Sequence, residues 1–146
     1  MKSPILFLCA AALALSSCAA PNYKKQFAAA DSAMAAPYSD ITGAWEGTWS
    51  SGANSHKGDL RCIVTEGDAP NEYDFLYWAT WWPGMKGTFR FSGVAEQEGN
   101  ALHITGSKRI GITKYNHEAV ITPTSFTSTF GSDKKNFGQM NLERPE

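Results

Sequence analysis

From Asp40 onward the sequence falls into short runs of alternating apolar and polar residues, each closed by a cluster of turn formers. There are eight: Thr42–Ser50, Gly58–Thr65, Glu72–Trp82, Gly87–Ala95, Ala101–Gly106, Thr113–Thr122, Ser125–Phe130 and Phe137–Glu143. Between them stand turn residues such as Ser51-Gly52-Ala53-Asn54, Pro83-Gly84, Glu98-Gly99-Asn100, Gly111 and Gly131-Ser132-Asp133. A period of two marks strands, and short strands at such spacing mark an all-β sandwich or barrel. Every gap is hairpin-sized, so consecutive strands pair antiparallel, and no long crossing of the kind a Greek-key sandwich needs is present. Eight meandering strands can close into an up-and-down barrel, which removes the sheet edges that small all-β proteins must otherwise protect. The sequence therefore predicts an all-β domain, an eight-stranded antiparallel barrel, over residues 40–146. A barrel of eight strands is just wide enough to fill itself with side chains or to hold one small ligand.

Side chains alternate across a strand, so parity assigns the faces. In the first run Gly43, Trp45, Gly47 and Trp49 share one face, where glycines beside tryptophans permit strand coiling and close approach of a neighbouring strand. The second run places Leu60, Cys62 and Val64 inward, the fourth Phe89, Phe91, Gly93 and Ala95, and the sixth Tyr115, His117, Ala119 and Ile121. The small inward residues Gly47, Ala79, Gly93 and Ala119 would leave room for a cavity.

The third run breaks the pattern. Tyr73, Phe75, Tyr77, Ala79 and Trp81 form one row, and Asp74, Leu76, Trp78, Thr80 and Trp82 the other, so both faces carry large apolar groups. A strand wet on one side has no need of that. Its outer face is either covered, by the chain that precedes the barrel or by a partner, or it makes contact at a barrel rim. Exposed Trp and Tyr are the usual substance of binding hot spots. Parity puts Trp81, with Phe75 and Tyr77, in the core, and leaves Trp78 and Trp82 to meet a partner or rim the barrel.

The first residues belong to a different class of signal. Lys2 precedes an apolar run from Ile5 to Leu15, too short to span a bilayer but suited to a signal peptide. The run ends in Leu15-Ser16-Ser17-Cys18, which resembles a bacterial lipobox, cut before a cysteine that then carries lipid. That resemblance implies a signal peptide over 1–17, lipidation of Cys18, and attachment to a membrane through acyl chains. Ala19, rather than Asp, implies export to the outer membrane of a double-membraned cell. Residues 18–39 are Ala-rich and bracketed by Pro21 and Pro37; they are expected to form a flexible tether, since a single short helix over Tyr23 to Ala36 is marginal in water, and a docking helix is the alternative reading. With Cys9 removed and Cys18 lipidated, Cys62 is left without a partner, and it is expected to be buried as a small hydrophobe.

Formal charge is −1 with the signs well mixed along the chain. No basic stripe argues for nucleic acid, and attraction to anionic headgroups gains little support from the sequence. The histidines are dispersed, no metal-ligand spacing occurs, and no Gly-x-Ser-x-Gly elbow is present. Cys62, mid-strand in an apolar row, is poorly placed for a thiolate nucleophile. Neither an enzyme, a cofactor nor a metal site is expected.

The opening Gly43-x-Trp45-x-Gly47-x-Trp49, followed by His56-x-Gly58-x-Leu60-Arg61, resembles the calycins, and more closely small lipocalin-like bacterial proteins that end in a strand like Gly138-Gln139-Met140-Asn141-Leu142. The resemblance implies a calycin-like barrel whose Trp45 packs at the closed end. It departs from lipocalins in its short length, its missing C-terminal helix and its missing disulfide. Two readings stand. One is a monomeric, lipid-anchored envelope protein binding a small apolar ligand through Trp45, Trp49, Phe75, Tyr77, Trp81, Phe89, Phe91 and Tyr115. The other is a filled-barrel interaction module or envelope inhibitor that meets a protein partner through Trp78 and Trp82.

Overall fold

The computed structural model describes residues 22–82, 84–133 and 136–146, with the side chain of Trp82 left undescribed. All eight expected strands form: β1 (Gly43–Ser51), β2 (Lys57–Glu66), β3 (Glu72–Trp82), β4 (Met85–Glu98), β5 (Ala101–Ile110), β6 (Thr113–Ile121), β7 (Phe126–Ser132) and β8 (Phe137–Glu143). Each pairs antiparallel with the next, and β1 pairs with β8 from Glu46↔Glu143 to Ser51↔Gly138, which closes the barrel. β5 runs past the expected end at Gly106 because its pairing with β6 continues from Gly106↔His117 to Ile110↔Thr113. The side chains of that extension are exposed, so hydropathy carries no trace of it.

The meander gives the barrel two unlike ends. Residues 67–71, 99–100 and 122–125 turn at one end, and residues 52–56 and 111–112 at the other, where β3 also passes to β4 and β7 to β8. The first end is plugged. Trp45 is fully buried there, donates its indole N–H to the Ile41 carbonyl at 2.9 Å, and meets the Phe126 ring edge-on at 5.5 Å. Arg144 closes over it. Its guanidinium lies 4.0 Å from the Trp45 ring centroid and 4.3 Å from that of Tyr38, and it donates to the carbonyls of Pro123 (2.9 Å), Thr42 (2.8 Å) and Asp40 (2.7 Å). A planar fork of N–H donors on an aromatic face is what arginine supplies and lysine does not.

The parity assignment holds around the ring: Trp45, Leu60, Cys62, Val64, Phe75, Tyr77, Phe91, Ile104, Ile121, Phe126, Met140 and Leu142 make one core. Cys62 lies in that core as a free thiol, and burial pushes its pKa well up.

The segment before the barrel departs from expectation. Residues 22–32 form a helix, α1, laid on the outer wall. Tyr23 and Phe27, one turn apart, are buried with Ala44 and Ile63 of the outer face, and Ala30, Leu76 and Trp78 pack against them. The Tyr23 hydroxyl donates to the Leu76 carbonyl at 3.2 Å, the Tyr23 and Trp78 rings lie 6.5 Å apart, and Arg61 stacks on Phe27 at 5.0 Å. Residues 22–32 are therefore not a free tether. Burying two aromatics offsets the marginal stability of a short helix, each worth about 1.5–3 kcal/mol. Cys18 and the signal segment 1–17 lie outside the described residues.

Candidate functional site

The barrel interior is built from the inward rows of β3, β4, β6 and β7. Phe75, Tyr77, Phe91 and Phe126 are all buried, and Phe89 stacks on Tyr77 at 5.0 Å. Into this aromatic ring project His117 from β6 and Ser128 from β7, the only buried polar side chains among the described residues. The Tyr77 hydroxyl and His117 Nε2 are 2.8 Å apart, joining opposite walls of the barrel. Phe91 stacks on the His117 ring at 5.0 Å and Phe75 meets it at 5.3 Å. Ser128 and Cys62 also interact with the Tyr77 hydroxyl.

Burial decides the charge state of this group. It lowers the His117 pKa from 6.5 to about 4, and raises that of Tyr77 well above its usual range. Both are neutral at pH 7. A neutral imidazole has one N–H and one lone pair, and the bond to Tyr77 uses one of them. His117 Nδ1 carries the other and has no hydrogen-bond partner, while Ser128 Oγ has only its contact with the Tyr77 hydroxyl. An unsatisfied polar atom among aromatic rings is costly, since it forfeits the hydrogen bond it made with water.

Toward the open end the lining loosens. Trp49, Phe89, Tyr115 and Phe130 are half-buried and rest on the core. Trp49 is held by its indole N–H, which donates to the Thr80 carbonyl at 2.7 Å, and by the Phe130 ring at 6.4 Å. Of the ligand-facing residues expected from sequence, Trp45 is the plug of the closed end, Phe75, Tyr77 and Phe91 are buried in the core, and Trp49, Phe89 and Tyr115 are half-buried against it toward the other end.

Three expectations need correction. Trp81, assigned to the core, is 40 % exposed. It has the inward parity but stands at the end of β3, where the β3–β4 register shifts between Thr80 and Trp82, and its indole lies over Gly87 at the rim. Trp78, assigned to a partner or rim, is mid-wall and half-buried beneath α1, so the two-faced third strand is explained by a cover from the same chain. The inward glycines do not open a cavity at their own positions: a side chain on Gly47 would strike the Asn141 carbonyl of β8, and one on Gly93 would meet Ile104 at 2.6 Å. They serve close strand approach. Arg61 faces Glu46 across the β1–β2 ladder at 3.8 Å. Trp82 pairs with Met85 through its backbone, and its side chain lies outside what is described.

Among the described residues no group of three or more His, Cys, Asp or Glu could hold a metal ion. His103 points outward, 2.8 Å from Glu118, and takes no part in the chamber that holds His117. The sequence places His117 and Tyr77 in inward rows, but their contact crosses the barrel between non-neighbouring strands and becomes visible only with the register.

No protein-family model matches the chain, and no curated protein matches it. Solved structures do. One is a redesigned β-barrel, mFAP1, bound to DFHBI, at 17 % identity and TM-score 0.56, covering 71 % of this chain and 94 % of that one. Another is a de novo designed fluorescence-activating β-barrel, at 15 % identity and TM-score 0.54, covering 77 % of this chain and 100 % of that one. At these identities the likeness is one of fold.

Proposed function

We propose that this protein is a non-enzymatic carrier or scavenger of the bacterial cell envelope, anchored to the outer membrane through acyl chains on Cys18. Its barrel takes one small, flat, largely apolar molecule bearing a polar group. The observation that carries the reading is the partnerless His117 Nδ1 inside an aromatic interior, with the Ser128 hydroxyl close by on the Tyr77 hydroxyl. A ligand whose polar group meets Nδ1 recovers the hydrogen bond lost on burial, and the aromatic walls supply the apolar contact. The only half-buried packing of Trp49, Phe89, Tyr115 and Phe130 supports entry at that end rather than at the plugged one. The designed barrel bound to DFHBI is a precedent for a small molecule held by such a barrel. The competing reading, a filled barrel recognising a protein through Trp78, is weakened by the helix that covers that residue.

The test is native mass spectrometry of the protein from its own host, followed by fluorescence titration of the delipidated chain with an anilinonaphthalene probe. A co-purifying small molecule and saturable one-to-one probe binding support the reading. Ser128→Ala and His117→Leu should each weaken binding about fivefold, the loss of one net hydrogen bond. A bare protein that shows no saturable binding would overturn it in favour of the filled barrel.

A further inference from the structure

Five of the seven exposed large hydrophobics among the described residues sit at one end of the barrel: Trp81, Met85, Ile110, Ile112 and Phe137. They come from three separate turns, those joining β3 to β4, β5 to β6 and β7 to β8. Ile112 is 79 % exposed, and nothing in barrel closure requires a branched apolar side chain there. An apolar rim of this kind on a small domain marks a contact surface.

Charge is sorted along the same axis. Exposed Lys57, Lys86, Lys108, Arg109 and Lys114 belong to the open-end turns and the strand ends beside them, while the carboxylates nearest that end are Asp59 and Asp133. The plugged end carries Glu66, Asp68, Glu72, Glu96, Glu98 and Glu143, with Arg144 folded inward onto Trp45. The net charge of −1 conceals a barrel that is basic at its apolar mouth and acidic at its base.

The chain entering the structure points to what covers this end. The segment that follows α1 places Met34 against Gly43 at the plugged end, and the first turn of α1 lies farther from that end, at mid-wall, with Tyr23 on Leu76 and Trp78 and Lys24 in an outer groove that runs from Lys86 and Thr80 to Glu143 and Arg144. Lys24 and Lys25 of that first turn are exposed. Cys18 is four residues ahead of Asn22, hence within about 14 Å of it even at full extension. Because residues 22–32 are docked, the available leash is that short segment.

We infer that the open end of the barrel seats on an anionic bilayer, with Trp81, Met85, Ile110, Ile112 and Phe137 entering the headgroup region and the surrounding lysines neutralising lipid phosphate. Acyl chains hold the protein at the membrane, and this rim orients it, so that the chamber mouth opens onto the lipid. Basic residues near an anionic surface and inserted aromatic and aliphatic tips act together in this way. The acidic base is repelled by the same surface, which makes the orientation one-sided. The orientation rests on the proposed anchor at Cys18; the composition of the rim does not.

The test couples the processed chain, starting at Cys18, through that thiol to maleimide-bearing vesicles of equal parts phosphatidylcholine and phosphatidylglycerol whose acyl chains are brominated. Cys62 is fully buried and does not compete. Tryptophan emission should fall relative to unbrominated vesicles, and the loss should be much smaller in Trp81→Phe. In a second arm, the same chain with Cys18→Ser is sedimented with unbrominated vesicles. Lys86→Gln and Lys114→Gln should each lower partitioning about fivefold, and Ile112→Ser should lower it as well. Unchanged emission on brominated vesicles, or partitioning that ignores these substitutions, would overturn the inference. Intact mass of the protein from its host separately reports whether Cys18 is acylated, so loss of the anchor and loss of the rim contact are read apart.

Discussion

Protonation of His117 should make this barrel fragile in mild acid, by an amount the structure allows one to work out. The imidazole is 1 % exposed, and its pKa is lowered from 6.5 to about 4 by burial. Between those values the unfolded chain binds a proton that the folded chain refuses, so stability rises with pH there. The contribution is fully present above about pH 6.5, is lost as the pH falls, and is gone below about pH 4. A gap of about two and a half units corresponds to about 3 kcal/mol, a large share of the stability of a small domain. With a urea m-value of about 2 kcal/mol/M, the midpoint should drop by about 1.5 M between pH 7 and pH 4 from this group alone. Other groups also titrate in that window, so the assay is a difference. Urea unfolding is followed by tryptophan emission at several pH values for the protein and for His117→Leu, which keeps similar bulk and cannot titrate. The variant should lose most of the His117 part of the slope and become the more stable of the two at pH 4. Parallel stability–pH curves for the two chains would refute the assignment of His117 as a buried neutral imidazole.

Trp45→Ala should cost about 3–5 kcal/mol in chemical denaturation, because the indole is fully buried and plugs the closed end. Arg144→Ala should cost about 2 kcal/mol, and Arg144→Lys should recover only part of that in thermal melts, since an ammonium cannot keep both the carbonyl fork and the ring contact. Phe27→Ala should release α1: limited trypsin digestion after Lys24 and Lys25 should accelerate, and Trp78 emission should shift to the red, while the barrel circular dichroism stays as it was.

The strands, their order and their inward rows were legible because each is a local matter of alternation and turn chemistry. Features that depend on how the rows meet were not. Tyr77 and His117 are 40 residues apart on strands that do not pair, so only curvature and register bring them together. Trp81 obeys inward parity, yet parity does not say that the strand has by then passed the end of the core. The helix over residues 22–32 was hidden for a related reason: its apolar positions, Tyr23, Phe27 and Ala30, look weak in isolation and gain their stability from Ala44, Ile63 and Trp78 on the wall. The charge axis is the clearest case. Basic and acidic strand ends alternate along the chain, Lys57 then Glu66, Lys86 then Glu98, so the linear sequence looks well mixed. A meander sends alternate turns to opposite ends, and most of that mixture is sorted into two poles.

Barrel closure depends on one seam. Seven of the eight strand pairs are hairpins whose partners are neighbours in the chain, and the eighth joins β1 to β8 across nearly the whole domain. Contacts of high sequence separation cost the most chain entropy and are the slowest to form. Until that seam closes, the meander is an open ribbon with two bare edges, the outer edges of β1 and of its last strand, each able to recruit another copy. Gly47 lies in the seam, so close to the backbone of Asn141 that any side chain there would hold it ajar. A single methyl group at that position would turn a self-contained ring into a strand donor, and polymerisation rather than simple unfolding would be the form its failure takes.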